Sequence, residues 1–238
     1  MKNKAIKRVA VITGGTKGIG RALIERFAKG GFDVITCSRG TVGMESLKQE
    51  INRYGTSLHH SQVDLSSERA VVDFVEEVKS QCTKLDVLIN NAGVFIPGEV
   101  LTEENGNLEQ MIHTNLFSAY RLTRGVIPLI RKAERPHIFN MCSTASTMAY
   151  ANGGSYAISK FALYGFSKSL REELKQDNIK VTSVLPGATY TPSWEGVDIP
   201  EDRFMSAADI ANLVWAAYDM QGNACVEDLL VRPQLGDL

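Results

Sequence analysis

Two residues that can exchange protons, Tyr156 and Lys160, stand four positions apart. On a helix this spacing places the phenol and the ammonium on one face, about one turn apart. A tyrosine has an ordinary pKa of about 10, so it exchanges protons at neutral pH only where nearby positive charge favours the phenolate. We expect Lys160 to contribute that charge, and the pair therefore indicates acid–base chemistry.

Ser143 is a third candidate, because it lies thirteen residues before Tyr156 and just after the apolar run that ends at Met141. A residue that follows a strand is expected at the sheet edge where ligands bind, so its hydroxyl could hold a substrate oxygen. The tyrosine and lysine alone are not specific, since a solvent-facing pair on a helix has the same spacing. The serine makes a catalytic site the better interpretation.

The segment Thr13–Gly20 carries four glycines between a β-branched run and an amphipathic stretch. Glycines permit close approach of a pyrophosphate, and the free amides at a helix N-terminus supply donors and a positive dipole. We expect a dinucleotide to bind here, with a purely structural turn as the alternative. Lys160 and an oxidised nicotinamide would together supply the roughly 4 kcal/mol needed to lower the pKa of Tyr156.

The second apolar run ends in Cys37-Ser38-Arg39, without the acidic residue that usually binds the ribose hydroxyls of NAD. Ser38 leaves room for a 2′-phosphate, and the Arg39 guanidinium can pair with it, helped by Lys17 in the glycine turn. We therefore expect NADP(H) to be preferred over NAD(H). The alternative is that Arg39 is an ordinary surface cation.

Short β-branched runs alternate with longer amphipathic stretches, which is typical of repeated βα units around a parallel sheet. We predict an α/β fold, a Rossmann-type doubly wound sheet of seven parallel strands with helices on both faces, formed by a single domain over residues 1–238. The predicted strands centre on Val9–Ile12, Val34–Cys37, Leu58–Gln62, Val87–Asn90, His137–Met141, Lys180–Leu185 and Leu229–Val231.

Helices are predicted in the gaps between these strands, with Ser67 and Ser206 as N-caps. Right-handed crossovers place the carboxyl ends of the strands at one edge of the sheet, so the candidate residues should meet there. The predicted helices are Gly18–Lys29, Met44–Asn52, Glu68–Ser80, Asn107–Arg131, Gly154–Gln176 and Ala207–Met220.

The composition disfavours several classes of partner. A formal net charge of −1 provides no general attraction for nucleic acid or for an anionic membrane. No apolar stretch reaches the roughly 18 residues that span a bilayer, and the run after the basic start is too short for a signal peptide. The four cysteines and four histidines lack metal-ligand spacing. We expect no metal, reduced thiols and a soluble, cytoplasmic protein, and we interpret the histidines as surface or packing residues.

Along nearly its whole length the chain resembles the single-domain branch of the short-chain dehydrogenase/reductase family. The resemblance rests on a set of motifs in a fixed order, to which Asn115 and Ser143 also belong. It implies hydride transfer between a nicotinamide and a carbonyl or alcohol carbon. The motifs are Thr13-Gly14-x-x-x-Gly18-x-Gly20, Asp64-Leu65, Asn90-Asn91-Ala92-Gly93, Tyr156-x-x-x-Lys160 and Pro186-Gly187 with Thr191.

The resemblance also implies a role for each matching residue. Tyr156 would protonate the alkoxide, Ser143 would orient the carbonyl, and Lys160 would hold the ribose and tune the phenol. Asn115 would hold a water that completes a proton relay. The cofactor-binding residues implied by the motifs and by the reasoning above are Gly14, Thr16, Lys17, Gly18, Ile19, Gly20, Ser38, Arg39, Asp64, Leu65, Asn90, Ala92, Gly93, Tyr156, Lys160, Pro186, Gly187, Thr189 and Thr191.

Within the family, Pro186–Trp194 and Val231–Leu238 locally resemble bacterial sepiapterin-reductase-like members. This suggests a pterin side-chain carbonyl as substrate, with Tyr190 and Trp194 either stacking on it or packing in a lid. A general ketone or a 3-oxoacyl thioester is the alternative, and a non-catalytic dinucleotide-sensing protein is the alternative of another class. The long helices resemble those of the family's dimer interface, so a homodimer or homotetramer is expected.

Overall fold

The computed structural model describes residues 7–194 and 196–237. The six amino-terminal residues, Glu195 and Leu238, all part of the predicted domain 1–238, lie outside the described residues.

In the described residues, seven strands form one sheet, and each pair of neighbours runs parallel. Three of the predicted strands match residue for residue, and the other four extend by one to three residues. The strands are β1 (Arg8–Thr13), β2 (Phe32–Ser38), β3 (Leu58–Gln62), β4 (Val87–Asn90), β5 (His137–Met141), β6 (Lys180–Pro186) and β7 (Asp228–Val231).

The strands are ordered β3-β2-β1-β4-β5-β6-β7 across the sheet. The winding direction reverses between β1 and β4, and such a reversal leaves a crevice at the carboxyl ends of the strands. The predicted fold class, a doubly wound Rossmann-type sheet, is confirmed.

Seven α-helices connect the strands in the described residues, and the side chains of Ser67 and Ser206 cap two of them as predicted. Ser67 accepts from the Ala70 amide at 3.3 Å, and Ser206 from the Asp209 amide at 3.0 Å. The helices are α1 (Gly18–Lys29), α2 (Met44–Asn52), α3 (Glu68–Gln81), α4 (Asn107–Ile112), α5 (Ser118–Ile130), α6 (Gly154–Leu174) and α7 (Ala207–Asp219).

The prediction of one unbroken helix over Asn107–Arg131 is wrong. A π-helical turn at His113–Phe117 separates α4 from α5, and α5 ends at Ile130. Such turns are often found at functional sites, and this one contains Asn115.

Two apolar clusters cover the two faces of the sheet, because alternate residues of a buried strand point to opposite sides. In β1, Ala10 and Ile12 pack with α1, α2 and α7, whereas Val11 packs with α3, α5 and α6. This packing makes the strands rigid, so the residues that follow their carboxyl ends are held in fixed positions.

In the stretches 7–194 and 196–237, no helix has both the length and the apolar character needed to cross a membrane. The same stretches contain no group of three or more His, Cys, Asp or Glu side chains arranged to hold a metal ion.

Candidate active site

Four neighbouring strands bring the candidate residues together at one edge of the sheet. The glycine turn follows β1, Asn91–Gly93 follow β4, Ser143 comes two residues after β5, and Gly187–Thr191 follow β6. Since the strands are parallel, their carboxyl ends lie side by side. The expected clustering of these segments at one edge is therefore present.

Helix α6 presents Tyr156 and Lys160 from its first two turns. The Lys160 ammonium lies 5.7 Å from the centre of the Tyr156 ring. Its Nζ donates to the Met141 carbonyl, at the end of β5, over 2.7 Å. Lys160 is only 5% exposed, and within the described residues none of its contacts is an ion pair with a carboxylate. The helix thus holds a buried cation beside the phenol.

Burial dominates the acid–base properties of both residues. It lowers the pKa of Lys160 to about 8, since an ammonium removed from water loses hydration. Burial also raises the pKa of Tyr156 above its ordinary value, although a hydrogen bond with the Ser143 side chain opposes this. Among the protein's own groups, burial therefore has the largest effect on the pKa of Tyr156. The expectation that Lys160 and an oxidised nicotinamide together lower this pKa stays a prediction.

Ser143 is held by the short turn that follows β5. Its Oγ accepts from the Ala145 amide at 3.1 Å, and its own amide donates to the Ser146 hydroxyl at 3.2 Å. These reciprocal bonds form a capping box on the 3-10 turn Thr144–Ser146. The serine side chain is therefore oriented beside Tyr156 by local backbone contacts.

Asn115 joins the π-helical turn to the loop after β4 and to α6. Its Oδ1 accepts from the Val94 amide at 2.7 Å, and its Nδ2 donates to the Val94 carbonyl at 3.0 Å and the Ser159 hydroxyl at 2.9 Å. Its side chain lies near both Gly93 and Lys160. A Cβ built on Gly93 would be 3.3 Å from Asn115 Oδ1 and 3.5 Å from Lys160 Nζ. The four predicted catalytic residues are thus gathered around one point of the crevice.

The glycine turn has the shape of a cradle that side chains would fill. A Cβ on Gly20 would lie 2.1 Å from the Gly14 carbonyl oxygen, and a Cβ on Gly18 would lie 3.0 Å from Thr191. Gly14 and Gly18 also have positive φ angles of 74° and 55°, which L side chains rarely adopt. Glycines therefore let the backbone of the turn pack closely at the start of α1, whose free amides can bind the pyrophosphate of a dinucleotide.

The cradle is tied to its neighbours by hydrogen bonds. Gly14 donates to the Cys37 carbonyl at the end of β2 over 2.8 Å. The Thr13 hydroxyl accepts from the amides of Asn91 and Ala92 at 3.0 and 2.9 Å. The side chain of Asn91 donates to the Thr13 carbonyl at 2.7 Å. This use of Asn91 was missed in the sequence, where only its neighbours were assigned to the cofactor.

Residues predicted to hold the adenosine end lie at the ends of β2 and β3. Ser38 is the last residue of β2, and Arg39 beyond it is exposed. Lys17, immediately before α1, is also exposed. The exposed Asp64 accepts two hydrogen bonds from Ser66, which are the main reason that its pKa is lowered, and Arg39 adds a smaller effect.

Two residues assigned to the cofactor have side chains committed to the interior. Asn90 donates to Thr123 at 3.1 Å and to Asn140 at 2.8 Å, and is 4% exposed. Leu65 is 6% exposed and packs in the apolar cluster beneath α3. Binding of the nucleotide by these two residues, through their backbone, stays a prediction.

The segment after β6 folds back over the glycine turn. Gly187 donates to the Val231 carbonyl at 2.8 Å, and the Thr189 hydroxyl donates to the Gly187 carbonyl at 3.1 Å. These bonds place Thr191 against Gly18, as the Cβ distance above shows. The predicted nicotinamide-covering segment thus reaches the predicted pyrophosphate site.

Both candidate substrate-stacking residues pack on Phe204 in this arrangement. The ring centres of Tyr190 and Trp194 lie 5.7 and 4.9 Å from that of Phe204. These contacts correspond to packing of the two rings in a lid, rather than to stacking on a substrate.

Two further residues near Tyr156 were missed in the sequence. Phe95 is 49% exposed, and its ring centre lies 4.9 Å from that of Tyr156 in an edge-to-face contact. Glu103 accepts a short hydrogen bond from Ser155 at the start of α6. Phe95 lies two positions after the end of the Asn-Asn-Ala-Gly motif, so the motif could have indicated it. No local sequence signal indicates Glu103.

Comparisons with known proteins agree with this geometry. A family model described as short chain dehydrogenase matches residues 8–201. The chain is 32% identical to the sepiapterin reductase of Chlorobaculum tepidum, over 98% of this chain and 99% of that protein. It is 29% identical to a 3-oxoacyl acyl-carrier-protein reductase of Escherichia coli, over 87% of this chain and 88% of that protein.

A solved structure with similar sequence and fold is a metagenomic short-chain oxidoreductase in complex with NADP. It is 32% identical to this chain, superimposes with a TM-score of 0.82, and is matched over 95% of this chain and 97% of its own.

Proposed function

The chain belongs to the short-chain dehydrogenase family of oxidoreductases, and on this premise we propose that it reduces a carbonyl group to an alcohol with NADPH. The proposal rests on one observation above all. A buried ammonium and a serine hydroxyl lie beside Tyr156, and the buried Asn115 amide lies near that ammonium, at the edge where a nucleotide cradle also lies. Side chains that only stabilise the fold would not need to gather at this edge.

In the proposed mechanism, bound NADPH supplies the hydride. The Ser143 hydroxyl orients the substrate carbonyl, and Tyr156 donates its phenolic proton to the carbonyl oxygen as that oxygen becomes an alkoxide. The raised pKa of Tyr156 suits this direction, because it keeps the phenol protonated at neutral pH. General acid catalysis of this kind contributes about 100- to 10,000-fold.

Lys160 and Asn115 are proposed to restore the proton to Tyr156. The Lys160 ammonium has a pKa of about 8, so it can both release and regain a proton near neutral pH. Asn115 Nδ2 is already within hydrogen-bonding distance of Ser159, and Asn115 Oδ1 lies close to Gly93 at the crevice. The closeness of both Asn115 Oδ1 and Lys160 Nζ to Gly93 supports a relay from the crevice to Lys160, with water as the carrier.

We propose that the glycine turn, Tyr156, Lys160 and the Gly187–Thr191 segment hold NADP(H), and that the protein prefers it to NAD(H). Support comes from the exposed Arg39 and Lys17 beside the cradle, which can pair with a 2′-phosphate. The NADP complex of the 32% identical metagenomic oxidoreductase supports the same cofactor.

A pterin side-chain carbonyl is the substrate that we propose first. It is supported by the similarity to a sepiapterin reductase over nearly both chains, and by the exposed Phe95 ring beside Tyr156, which offers a face for a flat substrate. A 3-oxoacyl thioester is the second candidate, supported by the 29% identity to a 3-oxoacyl reductase.

Incubation with NADPH and each substrate class tests these proposals. We expect rapid loss of NADPH absorbance with sepiapterin, slow loss with an acetoacetyl thioester, and an alcohol as the product by mass spectrometry. The reverse order of rates would favour the thioester. Dinucleotide binding without turnover of any carbonyl compound would instead support the non-catalytic, dinucleotide-sensing alternative.

We further propose a cytoplasmic homodimer or homotetramer. The assembly is supported by apolar side chains exposed on α4, α5 and α6, namely Leu108, Tyr120, Ile158 and Phe161. The location is supported by four cysteines that are all free thiols. Light scattering in solution measures the mass directly, and a monomeric mass would contradict the assembly.

A further inference from the structure

His60 on β3 is bonded to the residue proposed to lie at the 2′-phosphate. The distance from its Nε2 to Ser38 Oγ is 2.8 Å. Ser38 Oγ also lies 2.7 Å from the Gly40 carbonyl oxygen, two residues along the chain. One serine hydroxyl thus connects the neighbouring strand β3 to the turn that carries Arg39.

These two contacts determine where the protons lie. A carbonyl oxygen can only accept, so the single hydroxyl proton of Ser38 is directed at Gly40. The hydrogen bond to His60 must then be donated by the imidazole, which assigns a proton to Nε2. Burial, with a smaller effect from His59, lowers the pKa of His60, although Glu77 opposes this. At neutral pH the ring therefore acts as a neutral N–H donor.

The same strand holds the turn at a second point. Gln62 Nε2 donates to the Arg39 carbonyl at 2.9 Å. His60 and Gln62 thus fix the turn Ser38–Gly40 from one side, while its other side is open. A Cβ built on Gly40 would meet no atom within 4 Å, and Arg39 is exposed. The turn is thus held by β3 on one side and is open to solvent at Arg39 and Gly40.

His59, the adjacent histidine, makes no hydrogen bond to Ser38 or to the turn in the described residues. Successive side chains of a strand point to opposite faces, and His59 Nε2 bonds to Glu77 of α3 at 2.6 Å. The packing role that the sequence suggested for all four histidines therefore suits His59 but leaves the contact of His60 with Ser38 unexplained.

We propose that His60 is a positioning residue for the adenosine 2′-phosphate of NADP(H) and a determinant of the preference over NAD(H). While the imidazole N–H holds Ser38 Oγ, the serine proton is free to turn from the Gly40 carbonyl to a phosphate oxygen. This inference rests on the proposed function, specifically on the placement of the 2′-phosphate at Ser38 and Arg39.

Fluorescence titration of the purified protein with NADPH and NADH, and calorimetry with 2′,5′-ADP, test the proposal. We expect His60→Ala to weaken NADPH and 2′,5′-ADP about three- to tenfold, the effect of one neutral hydrogen bond, and to change NADH by less than about twofold. His60→Gln, which can offer an amide N–H instead, should recover most of the NADPH affinity. His59→Ala is the matched control and should leave all three affinities unchanged.

A double-mutant cycle separates positioning from general damage to β3. In a Ser38→Ala background, His60→Ala should have no further effect on NADPH. The proposal is overturned if His60→Ala weakens NADPH and NADH equally, has no effect, or acts in the same way with and without Ser38. Thermal unfolding shows whether His60→Ala still folds. If it does not, His60→Gln decides: an NADPH affinity of this variant as low as its NADH affinity would also overturn the proposal.

Arg39→Ala distinguishes a failure of the His60 proposal from a failure of the proposed 2′-phosphate site. A loss of affinity confined to NADPH in Arg39→Ala, with none in His60→Ala, would refute only the role of His60. Equal losses of NADPH and NADH in Arg39→Ala would show that no 2′-phosphate binds at this turn, and both proposals would fail.

Discussion

Replacing Lys160 with methionine removes a buried ammonium that lowers the stability of the fold. Lys160 is 5% exposed, and burial lowers its pKa to about 8 from an ordinary value of 10.5. Methionine has a similar length but no charge, so it also ends the 2.7 Å bond to the Met141 carbonyl. The unfolding free energy at a single pH would combine the loss of the charge with the loss of this hydrogen bond. The pH dependence of the unfolding free energy isolates the effect of the charge.

The direction of the pH dependence of stability follows from the number of protons that each state binds. Because the folded pKa lies below the unfolded one, the unfolded chain binds more protons between pH 8 and 10.5, and stability rises with pH in this window. At pH 7 the buried charge costs roughly 3 kcal/mol, and at pH 10 about 1 kcal/mol remains. The unfolding free energy of the wild type relative to Lys160→Met should therefore increase by about 2 kcal/mol from pH 7 to pH 10.

Guanidinium unfolding followed by circular dichroism at pH 7, 8, 9 and 10 measures this difference, with equal m-values as a check on two-state behaviour. Lys168→Met is the matched control. Lys168 lies two turns further along α6. Burial acts to lower its pKa, but the hydrogen bond and the opposite charge of Asp228 outweigh burial, so the pKa is raised. Its difference from the wild type should not increase with pH. A Lys160→Met difference that is flat from pH 7 to 10 would refute a buried ammonium at this position.

Three further substitutions test the site. Gly20→Ala should abolish NADPH binding and lower the melting temperature, because the new Cβ would lie 2.1 Å from the Gly14 carbonyl oxygen; an unchanged fluorescence titration would contradict the cradle. Arg39→Ala should weaken NADPH about ten- to a hundredfold and spare NADH, the effect of one charge-assisted contact, and an equal fall for both would exclude that contact. Asn115→Ala should lower the unfolding free energy by roughly 2 to 4 kcal/mol, since both backbone groups of Val94 lose their partner. Guanidinium unfolding with no change in midpoint would show that those bonds contribute little.

Strands and most helices could be predicted because their signals are local. The alternation of short runs with longer amphipathic stretches predicted Leu58–Gln62, Val87–Asn90 and His137–Met141 to the residue. The π-helical turn could not be predicted in this way. It widens the helix where Asn115 bonds to Val94 and Ser159, and these contacts join segments that are distant in sequence.

The candidate site could be predicted as a set of residues but not as a set of side-chain directions. Motif positions correctly placed Tyr156, Lys160 and Ser143 at one edge of the sheet. Which face of a strand a side chain occupies depends on register and packing, so Asn90 turned out to point inward. The diagonal contact from His60 to Ser38 likewise depends on how β3 pairs with β2.

Single-turnover reduction by the variant Tyr156→Phe tests whether the Tyr156 phenol donates the proton during carbonyl reduction. The assay follows loss of NADPH absorbance with excess enzyme and the most active carbonyl substrate, alongside thermal unfolding and an NADPH titration. We expect a folded protein that still binds NADPH but transfers hydride about 100-fold more slowly or worse, since the alkoxide loses its proton donor. Turnover at the wild-type rate in a fully folded Tyr156→Phe protein would contradict it.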